Sequence, residues 1–168
     1  IKRQLEYISG ESIRYLGKQY RLIVIKSDTE YIKFLKGYLY IYVKNDKDKK
    51  VKEKLFNSWL KEKTNVVYNE ILDKVYYLVG KYGVPKPKIK IRVMKTRWGS
   101  SCLKDSTIVL NKNLIIAPKY CIEYVILHEL IHFVYHNHNK QFYNLLSVLM
   151  PDWEIRKKIL DEEIIKNV

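Results

Sequence analysis

His128-Glu129-Leu130-Ile131-His132-Phe133-Val134-Tyr135-His136-Asn137-His138 contains all four histidines of the chain and a glutamate beside the first of them. The stretch reads H-E-x-x-H, with a further histidine six residues on. In a helix, positions i and i+4 stack on one face, so the imidazoles of His128 and His132 are expected to point at one metal ion. Glu129 lies about 100° further round, where it suits a general base holding a water rather than a ligand. Catalytic zinc usually takes three protein ligands and keeps one position open. His138, past the expected helix end, is the third candidate. His136 competes for that place, but the spacing of known H-E-x-x-H-x-x-G-x-x-H sites favours His138. Three neutral imidazoles would leave the ion's charge intact, enough to bring a bound water to a pKa of about 7. The glycine of the longer motif is replaced by Tyr135, and no Met-turn is apparent around Met150.

Working outward, residues 118–135 read as a buried helix. Pro118 suits its first position, and Ile122, Val125, Ile126, Leu127, Leu130, Ile131, Phe133 and Val134 cover nearly its whole circumference. Asn139 is placed to cap a short helix bearing Phe142, Leu145, Leu146 and Leu149. Pro151 ends that helix, and Trp153 opens a final amphipathic one.

On the N-terminal side, Ile89-Lys90-Ile91-Arg92-Val93 alternates strictly and predicts a strand. Residues 107–110 predict another. The span 107–111 has two readings: an edge strand beside the metal offering backbone groups to an extended substrate, or an ordinary buried strand. Residues 95–102 join the two strands. Arg97 there is a candidate for binding substrate or stabilising the oxyanion, although a structural role paired with a carboxylate suits it better. Residues 51–82 carry a helical period, with Gly83 as the stop. Before them, strand-like runs at 12–16, 19–25 and 38–43 alternate with turns, and 44–50 is a charged loop. The expected division is a β-rich part at 1–48, truncated at its start since the chain opens on Ile1, and a metal-binding domain at 49–168.

No apolar run reaches the length of a membrane span. Two cysteines make no disulfide framework, so a cytoplasmic setting is expected. The net charge of +14 allows a nucleic-acid or nucleotide partner. Yet 26 of the 32 basic residues are lysine, and arginine, the usual reader of bases and phosphates, is not enriched. The oligomeric state is not legible.

Taken in order, several segments resemble the YgjP-like zinc-dependent metallopeptidases, relatives of the SprT-like and WLM proteins. They are Tyr-Leu-Gly-Lys-Gln-Tyr at 15–20, Trp59-Leu60, Arg-Trp-Gly-Ser at 97–100, Leu110-Asn111 and Ala117-Pro118. Tyr-Val-Ile-Leu-His-Glu-Leu-Ile-His at 124–132, Asn137-His138, Phe142 and Met-Pro-Asp at 150–152 complete the set. One departure is Ser101, which intervenes before Cys102 where the family runs directly to cysteine. The resemblance implies an α+β, zincin-like fold: a β-rich N-terminal part, then a helical metal-binding part with a small antiparallel sheet. It implies zinc held by His128, His132 and His138, Glu129 as catalytic base, and a peptide or protein substrate. Two other readings use the same residues. One is a zinc hydrolase of a nucleotide or other phosphate substrate, favoured by lysines converging on the metal. The other is a non-catalytic basic nucleic-acid-binding module with a structural metal, favoured by His136 as a fourth ligand.

Overall fold

A computed structural model describes residues 4–164. The chain divides into two compact units, Ile1–Thr64 and Asn65–Val168. That division falls inside the long helix α1 (Lys49–Gly80) rather than at its start.

The first unit is built on four strands, β1 (Ser12–Tyr15), β2 (Lys18–Lys26), β3 (Tyr31–Leu35) and β4 (Tyr38–Val43). Two tight turns make the hairpins. Leu16 and Gly17 take φ of 49° and 80°, and Lys36 and Gly37 take 48° and 84°. Positive φ at both central residues marks the type I′ turn, whose twist matches the strands it joins. The sheet order is β1-β2-β4-β3, with β2 and β4 parallel. Leu39, Ile41 and Val43 alternate along β4 onto one face, where they are fully buried with Leu22. That face forms a core with Phe56 and Trp59 from the first half of α1. The sequence reading finds β1, β2 and β4 but misses β3. Its five residues, between an Asp-Thr-Glu bend and a Lys-Gly turn, are too few and too exposed to carry a pattern.

The second unit holds the rest of α1 and a three-stranded sheet of β5 (Lys88–Arg92), β6 (Gly99–Cys102) and β7 (Thr107–Asn111). A 3₁₀ turn (Lys112–Ile116) leads to α2 (Lys119–Ile131), α3 (Lys140–Leu149) and α4 (Trp153–Lys158), which continues as a π-helical stretch, Ile159–Ile164. The expected α+β, zincin-like architecture is present, with one correction of detail. The small sheet is mixed, in the order β5-β7-β6, because β5 pairs parallel to β7 while β6 pairs antiparallel to it. The connection leaving β5 lays down β6 on the far flank before β7 returns between them.

The structure decides between the two readings of 107–111. β7 is the buried central strand, not an edge: Ile108 and Leu110 are fully buried. The edge belongs to β6, whose Gly-Ser-Ser-Cys sequence is short and polar, as an exposed edge tolerates. The turn at the end of β7 is braced by Asn111. Its Nδ2 donates to the carbonyls of Met94 and Arg97 at 3.0 and 2.9 Å, its Oδ1 accepts from Asn113 N, and its own carbonyl accepts from the buried Tyr68 hydroxyl at 2.8 Å. This braces the loop that carries Arg97.

Candidate active site and metal centre

Helix α2 is apolar nearly all round, so burial fixes its position tightly. Its buried positions run from Cys121 through Ile131 and leave only a few side chains facing outward. Pro118 is the N-cap residue rather than the first helical one. The helix ends at Ile131, four residues short of expectation. There Phe133 N and Val134 N turn to the carbonyls of Leu130 and Ile131 in tighter i to i+3 bonds. This tightening starts the reversal that carries His138 back toward the helix face.

The result is a triad. Ring nitrogens of His128, His132 and His138 all lie within 4.8 Å of one another. The Nε2 atoms of His128 and His138 are 2.9 Å apart. Two nitrogens bound to one tetrahedral zinc at 2.0–2.1 Å sit about 3.3 Å apart, so the cluster fits an ion after a small spread. His132 Nδ1 lies 3.1 Å from the carbonyl oxygen of His136. A carbonyl can only accept, so Nδ1 carries the proton and Nε2 is left with a free lone pair. An outer hydrogen bond of this kind orients metal-binding histidines. Burial, then the neighbouring His132 and His138, push the His128 pKa down to about 3, keeping the ring in its neutral, ligating form. The donor set is all imidazole nitrogen, which suits zinc. The ring of His136 is not part of the cluster; its contribution is the backbone oxygen.

Phe142 of α3, fully buried, forms the floor. Its ring centroid lies 4.9, 4.7 and 4.9 Å from those of His128, His132 and His138. Asn139 caps α3 as expected, accepting from Phe142 N at 3.0 Å, and so sets that ring in place. Phe142→Ala is expected to cost about 3–5 kcal/mol of stability and to weaken zinc binding in the same variant. Thermal melts with and without metal check both.

Glu129 is 6% exposed and faces the same cleft. Its Oε2 accepts a 2.5 Å hydrogen bond from the Ser101 hydroxyl, which also lies 2.8 Å from the Glu129 carbonyl. Burial raises the Glu129 pKa to about 7, with Ser101 and the charge of Arg97 pulling the other way. A carboxyl poised there matches what a general base needs near neutral pH. Gly99 permits this packing: a Cβ on it would meet Val125 Cγ1 at 3.1 Å and Glu129 Cγ at 3.2 Å. Helix and strand can approach this closely only because that side chain is missing.

The cleft encloses about 590 Å³. Gly99, Ser100 and Ser101 of edge strand β6 line one side, the histidines and Tyr124 another, and Lys157 and Asp161 the far end. Arg97 also faces the cleft, and among the described residues it makes no ion pair. Lys157 is paired with Asp161 at 2.8 Å. Arg156 bonds Glu123 of α2 and Asp152 at 2.9 and 3.0 Å and holds α4 in position. Sequence reasoning missed Ser101 and the part played by Phe142, since both act across turns of chain that no local pattern links.

The family model described as "YgjP-like, metallopeptidase domain" matches residues 1–163. No match is found among curated proteins. Among solved structures, the chain is similar to the metallopeptidase zymogen abylysin of Pyrococcus abyssi. The identity is 25% and the TM-score 0.50, over 59% of this chain and 93% of that one. It is also similar to the zymogen jannalysin of Methanocaldococcus jannaschii, with 28% identity and a TM-score of 0.48 over 60% and 89%. A Wss1 mutant from Saccharomyces cerevisiae gives 25% and 0.47 over 58% and 83%.

Proposed function

The chain belongs to the YgjP-like metallopeptidase family, and on that basis we propose that it is a zinc-dependent peptidase with His128, His132 and His138 as metal ligands and Glu129 as general base. All of these residues belong to the second unit, Asn65–Val168. The observation that carries this reading is the cluster of three imidazoles opening into a cleft that the buried Glu129 carboxyl also lines. Zinc bound there would supply a polarised carbonyl and an acidified water. Glu129 takes the proton of the attacking water and returns it to the leaving amine, so that it acts first as base and then as acid. Ser101 holds the carboxyl so that one oxygen stays aimed at the cleft. The exposed edge of β6 receives the substrate as an added strand, with main-chain hydrogen bonds giving affinity independent of side-chain identity. Arg97 flanks this edge as a substrate-binding or oxyanion group. Cys102 and Cys121 are not joined in a disulfide, and a cytoplasmic setting is part of this proposal. Among the described residues, no helix is long and apolar enough to cross a membrane.

The two rival readings draw less support. A phosphate substrate calls for several cations converging on the metal, yet of the two basic residues lining the cleft Lys157 is paired with Asp161, which leaves Arg97 alone. A structural metal calls for a fourth protein ligand, and among the described residues the group contains only three.

The test is cleavage of peptides and unfolded protein by zinc-loaded protein, with nucleoside triphosphates assayed in parallel. Peptide bonds cut in a chelator-sensitive way support the proposal; chelator-sensitive hydrolysis of nucleotides alone overturns it. Ser101→Ala is expected to lower kcat by about tenfold with little change in KM, because Glu129 loses its hydroxyl partner but keeps its place. Steady-state kinetics on the cleaved peptide check this split.

A further inference from the structure

The sheet of the first unit buries one face and leaves the other open. Strand register puts Tyr38, Tyr40 and Tyr42 of β4 on the open face, with Tyr31, Lys33 and Leu35 of β3 on one side and Arg21, Ile23 and Ile25 of β2 on the other. Arg14 of β1 follows on the same face, beyond Gln19. Tyr31, Leu35 and Tyr38 are 43%, 44% and 40% exposed. The rings form a connected row: Tyr31 stacks on Tyr42 at 4.3 Å and 7°, Tyr42 neighbours Tyr40 at 6.2 Å, and Tyr40 neighbours Tyr38 at 6.3 Å.

A solvent-facing sheet surface normally alternates to polar side chains. Aromatic rings standing in line there need another explanation. Of the strands' five basic residues, Arg14, Arg21 and Lys33 share this face, while Lys18 and Lys26 alternate onto the other; the strands carry no acidic residue. At the Tyr38 end, a depression of about 350 Å³ is lined by Arg21, Lys36, Gln19 and Ser12, again without a carboxylate. Beyond the Tyr42 end a second depression is lined by Lys26, Ser27, Asp28 and Lys44.

We infer that this face binds single-stranded nucleic acid, with bases stacked on Tyr38, Tyr40 and Tyr42 and phosphates met by Arg14, Arg21, Lys33 and Lys36. Aromatic rings take any unpaired base because every base has a π-face, and cations beside them follow the backbone. A duplex hides those base faces and offers only phosphates. The row lies on the face of the sheet rather than along its edge, so strand addition by a peptide does not use it. This inference is independent of the peptidase reading.

The test is fluorescence anisotropy of the full chain with labelled oligothymidylate and oligouridylate of about 16 nucleotides, against a duplex and polyglutamate. Tighter binding of single strands is expected, and the two oligomers report which sugar is preferred. Tyr40→Ala and Tyr38→Ala are each expected to weaken binding roughly 5- to 150-fold, whereas the matching Tyr→Phe variants retain it. Arg21→Ala with Lys33→Ala, both at exposed positions, should flatten the dependence of log K on log salt by about 0.7 per lost phosphate contact. This pair keeps the test decisive if an aromatic variant fails to fold. Equal binding of duplex or polyglutamate overturns the inference. So does undiminished binding by folded alanine variants, or an unchanged salt slope.

Discussion

Replacing Glu129 with glutamine is expected to lower kcat for peptide cleavage by about 10²- to 10⁴-fold while one zinc per chain is retained. The two side chains are nearly the same size, so the packing of Glu129 against Gly99 and Val125 survives. The Ser101 hydroxyl still finds an oxygen to donate to. Only basicity is removed: an amide cannot accept a proton from water at neutral pH. Zinc analysis of the purified variant and turnover on the same peptide separate the effects. Full activity would remove Glu129 from the mechanism; loss of metal would show that it acts on the site's structure instead.

The second large effect discriminates between the two histidines that compete for the third ligand position. His138→Ala is expected to weaken zinc binding by more than the roughly 10- to 100-fold typical of outer hydrogen-bond partners, since it removes a coordinating nitrogen and leaves His128 Nε2 without its neighbour at 2.9 Å. His136→Ala is expected to change affinity little, because His136 reaches the site through its backbone oxygen, which alanine keeps. Competition with a chromogenic chelator measures both. The reverse ranking would assign the ligand to His136 and reopen the case for a different metal geometry.

The parts of this site legible in the sequence are those set by local geometry. The i to i+4 spacing of His128 and His132 requires only a helix, and the apolar circumference of 118–135 makes that helix plain. The return of His138 was legible only as spacing, because the tightened turn after Ile131 leaves no composition signal. What could not be read depends on contacts made across the fold. Ser101 meets Glu129 because β6 lies against α2. Phe142 meets three imidazoles because Asn139 starts α3 at the right point. The strand at 107–111 was assigned a possible edge position because its length and polarity pattern fit either place. Pairing on both sides makes it central, and polar, glycine-bearing β6 takes the edge. β3 is hard to read in the sequence because Tyr31 and Leu35, on its solvent side with Lys33, are apolar and blur the alternation.

The central claim is that three imidazoles hold one zinc ion and leave a coordination position for solvent. Zinc K-edge X-ray absorption on the stoichiometrically loaded protein tests it most directly. Three histidine nitrogens and one non-protein oxygen at about 2.0–2.1 Å are predicted. A fourth imidazole, a sulfur scatterer near 2.3 Å, or failure to retain zinc at all would contradict the account.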